Sequence, residues 1–387
     1  MDFPLSPRIG ATAEPPIPSV RAWAARYDGR AGAVLDLTQA VPGYPPHGDL
    51  LARLAQCAGS TATASYGPID GEPALRAALA EDISGFYGAP VATGDVAITA
   101  GGNLAFVMAM TVLAGQGEAV MLPAPWYFNH RMALSALAIP CVALECRAED
   151  GFIPDPGRAA ALMKGVRAIV LVSPNNPTGA VYPPAVIARF ADLARRHGAW
   201  LVLDETYRDF LGPGQSPPHA LFADPAWREN VVHVYSFSKA YCVPGHRVAA
   251  IAAGPGFRAA LMKALDTMQI CPPRAAQTAL AWGVGALREW RAANRAVMAA
   301  RAEGFRRAAA QLPLWRLDAL GAYFAYLRLP QDAPEAVATA ERLAVERGLL
   351  GLPGPFFGPG QARHLRLAFA NAAEEAIAAV PARMTGG

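Results

Sequence analysis

From Leu50 onward, short apolar runs alternate with segments whose apolar positions recur every three or four residues, the signatures of strand and helix. Helical periodicity at Leu50–Ala58 and Pro73–Phe86 precedes a predicted strand at Val96–Ala100 and a helix from about Asn103 to Leu113. Further strands are predicted at Ala119–Leu122, Val142–Leu144, Ala168–Val172, Trp200–Leu203, Val231–Tyr235 and Val248–Ala252. Helical patterns at Trp126–Leu137, Arg158–Met163 and Pro184–His197 fall between them. Strands apolar at consecutive positions bury both faces, so the alternation predicts an α/β fold on a mostly parallel sheet covered by helices.

The two ends of the chain read differently. Up to about Pro46 the sequence is rich in Pro and Gly, with one helical run, Val20–Tyr27, and a short strand, Ala33–Leu37. Beyond Gly256 it is mainly helical, including an Ala/Arg-rich stretch from Leu287 to Ala310. Arg288, Arg291, Arg295, Arg306 and Arg307 in that stretch read as a solvated helix face. Strands near Tyr323–Leu327 and His364–Ala368 follow, and no internal repeat is present.

Composition narrows the function classes. The 387 residues suggest two or three domains at roughly 150 residues each. With 53% hydrophobic and 17% charged residues the chain is not of the disordered type. A formal charge of +3, without a dense Lys/Arg block, argues against a nucleic-acid surface. Mean hydropathy is +0.20, yet apolar stretches such as Leu104–Ala114 fall short of the ~20 residues of a spanning helix. Met1–Ser19 is broken by prolines and lacks the pattern of a signal peptide. Cys57, Cys141, Cys146, Cys242 and Cys271 are scattered, which supports neither a metal site nor a disulfide framework and points to a cytoplasmic enzyme.

Four features lie at predicted strand ends, where ligands of open α/β sheets bind. Thr99-Ala100-Gly101-Gly102-Asn103 joins a strand to a helix, and its glycines let backbone amides turn toward an anion. Alone it is also an ordinary turn, and no dinucleotide or P-loop glycine motif accompanies it. Ser173-Pro174-Asn175-Asn176-Pro177-Thr178-Gly179 is either plain turn chemistry or a rigid mount for Asn176. Asp204 ends an apolar strand in Leu203-Asp204-Glu205-Thr206-Tyr207, as a cap or as a functional carboxylate. Most informative is Tyr235-Ser236-Phe237-Ser238-Lys239, followed by Gly245-His246-Arg247. A lysine just past a buried strand is costly unless paired or covalently engaged, and the Arg247 fork suits phosphate.

These motifs, in this order, make the chain resemble the class I/II aminotransferases, fold-type I enzymes dependent on pyridoxal 5′-phosphate. The resemblance spans Leu35 to about Asn371. It also includes Tyr66-Gly67-Pro68-Ile69-Asp70-Gly71-Glu72-Pro73-Ala74-Leu75-Arg76, Pro125-Trp126-Tyr127 and Arg366-Leu367-Ala368-Phe369. It implies a large domain with a seven-stranded type of sheet and a smaller α+β domain built from both chain ends. The expected division is 1–45 for the N-terminal arm and part of the small domain, 46–285 for the cofactor domain and 286–387 for the small C-terminal domain.

The resemblance also assigns roles. Lys239 would bond covalently to the cofactor aldehyde and later carry the proton between the substrate α-carbon and cofactor C4′. Asp204 would keep the pyridine nitrogen protonated, so that the ring accepts electrons. Tyr207 and Asn176 would bond the ring 3′-oxygen and hold the imine's proton affinity low, and Tyr127 would stack on the ring face. The phosphate would lie among Gly101, Gly102, Asn103, Ser236, Ser238 and Arg247, with Tyr66 reaching in from the partner of a homodimer. Arg366 would clamp the substrate α-carboxylate, helped by the backbone amide of Ala40, where many relatives have Gly. Whether Ala40 needs a positive φ is open at this point, as is the place of His130: partner of Asp204, or surface histidine. Cis peptide bonds are expected at Ala124–Pro125 and Asn176–Pro177.

The implied reaction moves an amino group from an L-amino acid to a 2-oxo acid by a ping-pong mechanism. A β-lyase on the same scaffold is the alternative, since it would share Lys239, Asp204 and Arg247. Ile17, Pro18, Tyr44 and Phe356 are the candidate walls for the donor side chain and suggest an apolar or aromatic one.

Overall fold

The computed structural model describes residues 3–115, 117–212 and 214–385, so the outermost residues of both expected end segments lie outside it. A short β1, Leu35–Asp36, precedes the main sheet. That sheet contains β2 (Val96–Thr99), β3 (Ala119–Ala124), β4 (Cys141–Glu145), β5 (Val166–Val172), β6 (Trp200–Asp204), β7 (Val231–Ser236) and β8 (Ala249–Ala253). Its seven strands lie in the order β2-β8-β7-β6-β5-β3-β4. All neighbours pair in parallel except β8, which is antiparallel to both β2 and β7. The expected mostly parallel sheet is therefore present.

Alternate side chains of the central strands feed opposite layers. Ile169, Leu171, Leu201 and Leu203 join one core with Leu79, Ile83 and Phe190 of the covering helices Pro73–Tyr87 and Pro184–Arg196. Ala168, Val170, Val202, Val232 and Val234 join the other, with Phe106 and Leu261 of helices Gly102–Leu113 and Pro255–Met268. Burial on both faces is what made the strands read as continuous apolar runs.

The antiparallel β8 has a consequence for chemistry. Its N-terminal end lies at the same edge as the C-terminal ends of the parallel strands, so Arg247, just before it, joins the features that follow β2, β3, β5, β6 and β7. Six chain crossings thus deliver their loops to one edge.

A second sheet is antiparallel. It combines β9 (Arg316–Gly321), β10 (Phe324–Arg328), β12 (Leu352–Pro353) and β13 (His364–Ala368) in the order β12-β13-β10-β9, around a core of Leu327, Leu343, Leu365 and Phe369. Strand β11, Leu349–Leu350, pairs in parallel with β1. That pairing draws the N-terminal segment onto the C-terminal part: Leu37 N–H donates to Leu350 O at 2.9 Å, and Ala368 N–H to Leu37 O at 2.8 Å. Residues 38–40 are thereby laid beside the strand that carries Arg366.

The loop that follows β5 meets the second sheet backbone to backbone at Gly179 and Gly321. Gly179 has φ +77°, and a Cβ there would lie 2.4 Å from Gly321 N. No side chain fits such an approach.

Five expectations need correction. The helix predicted over Val20–Tyr27 is Pro16–Ala24, with proline accommodated in its first turn. The helix predicted from Trp126 starts at Phe128, because Trp126 N–H is engaged by Phe357 O at 2.8 Å. The one predicted over Arg158–Met163 is a short Pro156–Ala160 helix, its start set by the Asp155 side chain accepting from Gly157 N–H. Ala124–Pro125 is cis as expected, but the other cis bond in this region is Ser173–Pro174 instead of Asn176–Pro177; the motif holds two X-Pro bonds three residues apart. The arginine stripe of helix Arg288–Ala309 is only partly solvated, since Arg291 is buried between Asp82 and Asp209.

Candidate active site

A cavity of about 160 Å³ at the sheet edge is lined by Gly102, Asn103, Tyr127, His130, Asn176, Asp204, Tyr207, Ser236, Ser238, Lys239 and Arg247, among others. The four strand-end motifs and Tyr127 thus converge on one space. Gly101 stands directly behind it, with φ +93° and Arg247 so close that a Cβ would lie 2.1 Å from the guanidinium. Glycine there lets the chain pass under Arg247 and start helix Gly102–Leu113, whose first two residues, Gly102 and Asn103, line the cavity. Ser236 Oγ accepts from Ser238 N–H at 3.2 Å, which shapes the facing turn.

Asp204 is buried at the end of β6. One carboxylate oxygen accepts from Thr206 N–H and Oγ1 at 3.0 and 2.7 Å, and the other lies 3.3 Å from His130 Nε2. Burial favours the neutral acid, but the His130 and Thr206 contacts hold the Asp204 carboxyl below the usual range. His130 is itself buried and stacked on Phe106 at 3.9 Å. Of its two readings, partner of Asp204 is the one the fold adopts. Thr206 was missed, although a Thr two residues after an Asp is a recognisable turn signal.

Lys239 is partly buried. Burial, then the positive charges of Arg366 and Arg247, push its amine down to about 8. Its Nζ donates to Ala40 O and lies 5.9 Å from the centre of the Tyr207 ring. Ala40 is not among the residues with positive φ, so alanine fits the loop without strain.

Arg366 is 2% exposed. It donates from Nη1 to Asn176 Oδ1 at 3.0 Å and from Nη2 to Thr38 O, while its Nε has no partner. Burial pushes it down to about 10. Asn175, the other asparagine of the motif, is spent on structure: its Oδ1 accepts from Thr178 N–H and Oγ1, and its Nδ2 donates to Tyr182 OH. That internal turn leaves Asn176 pointing at the cavity. Tyr127 OH donates to Asn103 Oδ1 at 3.3 Å, and burial raises its phenol to about 12.

Among the described residues no carboxylate pairs with Lys239, Arg247 or Arg366, and the single cavity-lining carboxylate, Asp204, is already engaged by His130. The space therefore carries an excess of positive charge suited to a phosphate and a carboxylate. An aldehyde-bearing aromatic phosphate fits these groups: an amine depressed toward neutrality, an ionised acid, a flat aromatic wall and an anion cradle.

Tyr66, Tyr44, Ile17, Phe356 and Pro18 do not line this cavity. Tyr66 is 80% exposed and borders a separate surface hollow with Ala100, Leu104 and Arg274. Tyr44 packs with the Tyr207 and Tyr323 cluster, whereas Ile17 and Phe356 share an apolar group with Tyr127, Phe128 and Phe357. Pro18 is exposed.

The chain is similar over 381 residues, at 30% identity, to the aspartate/prephenate aminotransferase of Thermus thermophilus, with 96% of this chain and 95% of the relative covered. An aromatic aminotransferase of Arabidopsis thaliana is 28% identical over 371 residues, covering 91% and 89%. A solved mutant of Thermus thermophilus aspartate aminotransferase superposes with a TM-score of 0.90 at 26% identity, covering 99% of both chains. These relatives are aminotransferases, and nothing in the comparisons favours the lyase alternative. The profile of the family described as aminotransferase class I and II matches residues 34–383. The chain belongs to that family and is a pyridoxal 5′-phosphate-dependent amino-acid transaminase.

Proposed function

We propose that Lys239, Asp204 and Tyr207 carry the transamination, in a cytoplasmic homodimer, on an L-amino acid with an apolar or aromatic side chain. The observation that carries this reading is that Lys239 lines the cavity while Arg366 is bonded to its wall residue Asn176, neither cation having a carboxylate partner among the described residues. When bound, the cofactor supplies an electron sink for the substrate α-carbon. Asp204, kept ionised by His130 and Thr206, would hold a proton on the pyridine nitrogen. Lys239, with its amine down at about 8, is a competent nucleophile near neutrality and then the base that moves the α-proton. Tyr207 and Asn176 would bond the ring oxygen, and Tyr127 would cover the ring. Gly101, Gly102, Asn103, Ser236, Ser238 and Arg247 would hold the phosphate. Arg366 would take the α-carboxylate in two bonds, with the Ala40 segment closing over it.

The division into 1–45, 46–285 and 286–387 is supported by the two separate sheets and by the β1–β11 pairing that joins the chain ends. The exposure of Tyr66 supports its reaching a second copy's phosphate site. Donor preference is supported by the relative named for aromatic substrates. No described helix is long and apolar enough to cross a membrane.

Two measurements test this reading. Enzyme given one equivalent of an aromatic donor should yield one equivalent of 2-oxo acid and of the amino form of the cofactor, without ammonia. Steady release of pyruvate and ammonia from cysteine-type substrates rejects transamination. For the homodimer, sedimentation should give about twice the 40.6 kDa chain mass, and Tyr66→Phe should weaken cofactor binding about tenfold or more. A monomer with unaltered cofactor affinity rejects the shared site.

A further inference from the structure

Behind the cavity lies a buried ion cluster that the chemistry above does not use. Asp82 comes from helix Pro73–Tyr87, Arg208 and Asp209 from the turn after Tyr207, and Arg291 from helix Arg288–Ala309. Arg208 bonds Asp82 at 2.5 Å, and Arg291 bonds Asp82 at 2.8 Å and Asp209 at 2.9 Å. The other Asp209 oxygen accepts from Tyr235 OH at 2.8 Å, and the Asp209 backbone carbonyl accepts from Arg295 Nε at 2.8 Å. Arg208, Asp209 and Arg291 are 1%, 5% and 8% exposed. Two acids and two arginines make the cluster neutral. Burial opposes charge on each, yet the arginines hold Asp82 below the usual carboxylate range, and the surrounding acids and phenols hold Arg291 above its own.

Buried ion pairs contribute little net stability compared with apolar packing, and their best-attested benefit is fixing one geometry. The geometry fixed here is that of one turn. Asp209 sits two residues past Tyr207, in the turn closed by Phe210 N–H to Tyr207 O at 2.9 Å. The Tyr207 ring is held on its other side by Tyr323 and Phe324, each 5.2 Å away. Tyr235, which bonds Asp209, immediately precedes Ser236 of the phosphate turn. Arg291 and Arg295 belong to the helix that leads to the second sheet and so to Arg366. Asp209 therefore has its carboxylate and its carbonyl tied to both neighbours of the site.

We propose that Asp209 is a positioning residue for Tyr207: Arg291, Arg295 and Tyr235 lock the Asp209 turn, and the turn fixes the phenol of Tyr207 against the cofactor's ring oxygen. This rests on the reading that Tyr207 bonds that oxygen. The readout is the pH midpoint of the visible absorbance of the cofactor-loaded enzyme, which a correctly placed phenol keeps low. Asp209→Asn should raise the midpoint by about half a unit to one unit. Tyr207→Phe should raise it at least as far, and the double variant should go no further than Tyr207→Phe alone.

A Asp209→Asn midpoint unchanged within about 0.2 unit, or a full Asp209→Asn shift added on top of Tyr207→Phe, overturns the proposal. Should Asp209→Asn not fold, Tyr235→Phe removes only the 2.8 Å bond. It should give a smaller upward shift that disappears in the Tyr207→Phe background, and persistence there overturns the proposal equally. If Tyr207→Phe alone leaves the midpoint in place, the failure belongs to the assignment of Tyr207 to the cofactor.

Discussion

Lys239→Ala should abolish covalent attachment of the cofactor and lower transamination by about a thousandfold or more. The size follows from what is lost. On the proposed reading one side chain would supply both the nucleophile and the general base, and base catalysis alone contributes about 10²- to 10⁴-fold. The structure shows why no neighbour substitutes. His130 is committed to Asp204 and stacked on Phe106, Tyr127 is raised to about 12 and Tyr207 is raised too, and Arg247 and Arg366 are cations without a free lone pair. The variant should still fold, because the Lys239 side chain makes one described hydrogen bond, to Ala40 O. Absorbance after cofactor addition and single-turnover kinetics check both points; turnover at more than a tenth of the parent rate removes Lys239 from the mechanism.

Arg366→Ala should lower kcat/KM for α-amino acids by about two to three orders of magnitude. Truncating one member of a buried, hydrogen-bonded charge pair costs roughly 2–5 kcal/mol, and about 1.4 kcal/mol is tenfold. Arg366 is poised for that role, since it is 2% exposed, oriented by Asn176 and Thr38, and left with an unpartnered Nε. Its partner would be the substrate. The comparison that isolates the effect is an amine of the same side chain without the α-carboxylate. Its turnover should change by less than about threefold, whereas equal losses for both substrates would mean that Arg366 serves only to hold Asn176 and Thr38.

Much of the site was legible in the sequence because its parts are local. Each strand-end feature is a few consecutive residues, and its position after an apolar run says which edge it faces. The helix–strand alternation was legible for the same reason, as burial of both faces leaves a continuous apolar run. What stayed hidden depends on contacts between distant segments. The start of helix Phe128–Ala136 is set by Phe357, and the burial of Arg291 by Asp82 and Asp209. In a helix rich in Arg and Ala, periodicity cannot say which arginine faces a carboxylate from another element. The cis bond at Ser173–Pro174 was misplaced because two prolines three residues apart offer the same local signal.

The sequence by itself determined the kind of protein: a helix-covered, mostly parallel sheet with an ordered set of strand-end groups that name a pyridoxal-phosphate aminotransferase. Tertiary structure decided how those groups are charged and aimed. Only the packing of helix Phe128–Ala136 turns His130 onto Asp204, and only the β1–β11 pairing lays Thr38 and Ala40 over Arg366 and Lys239. The physical reason is range. Residue identity and strand propensity act over a few positions, whereas the ionisation and direction of a buried side chain are set by whatever the fold packs against it.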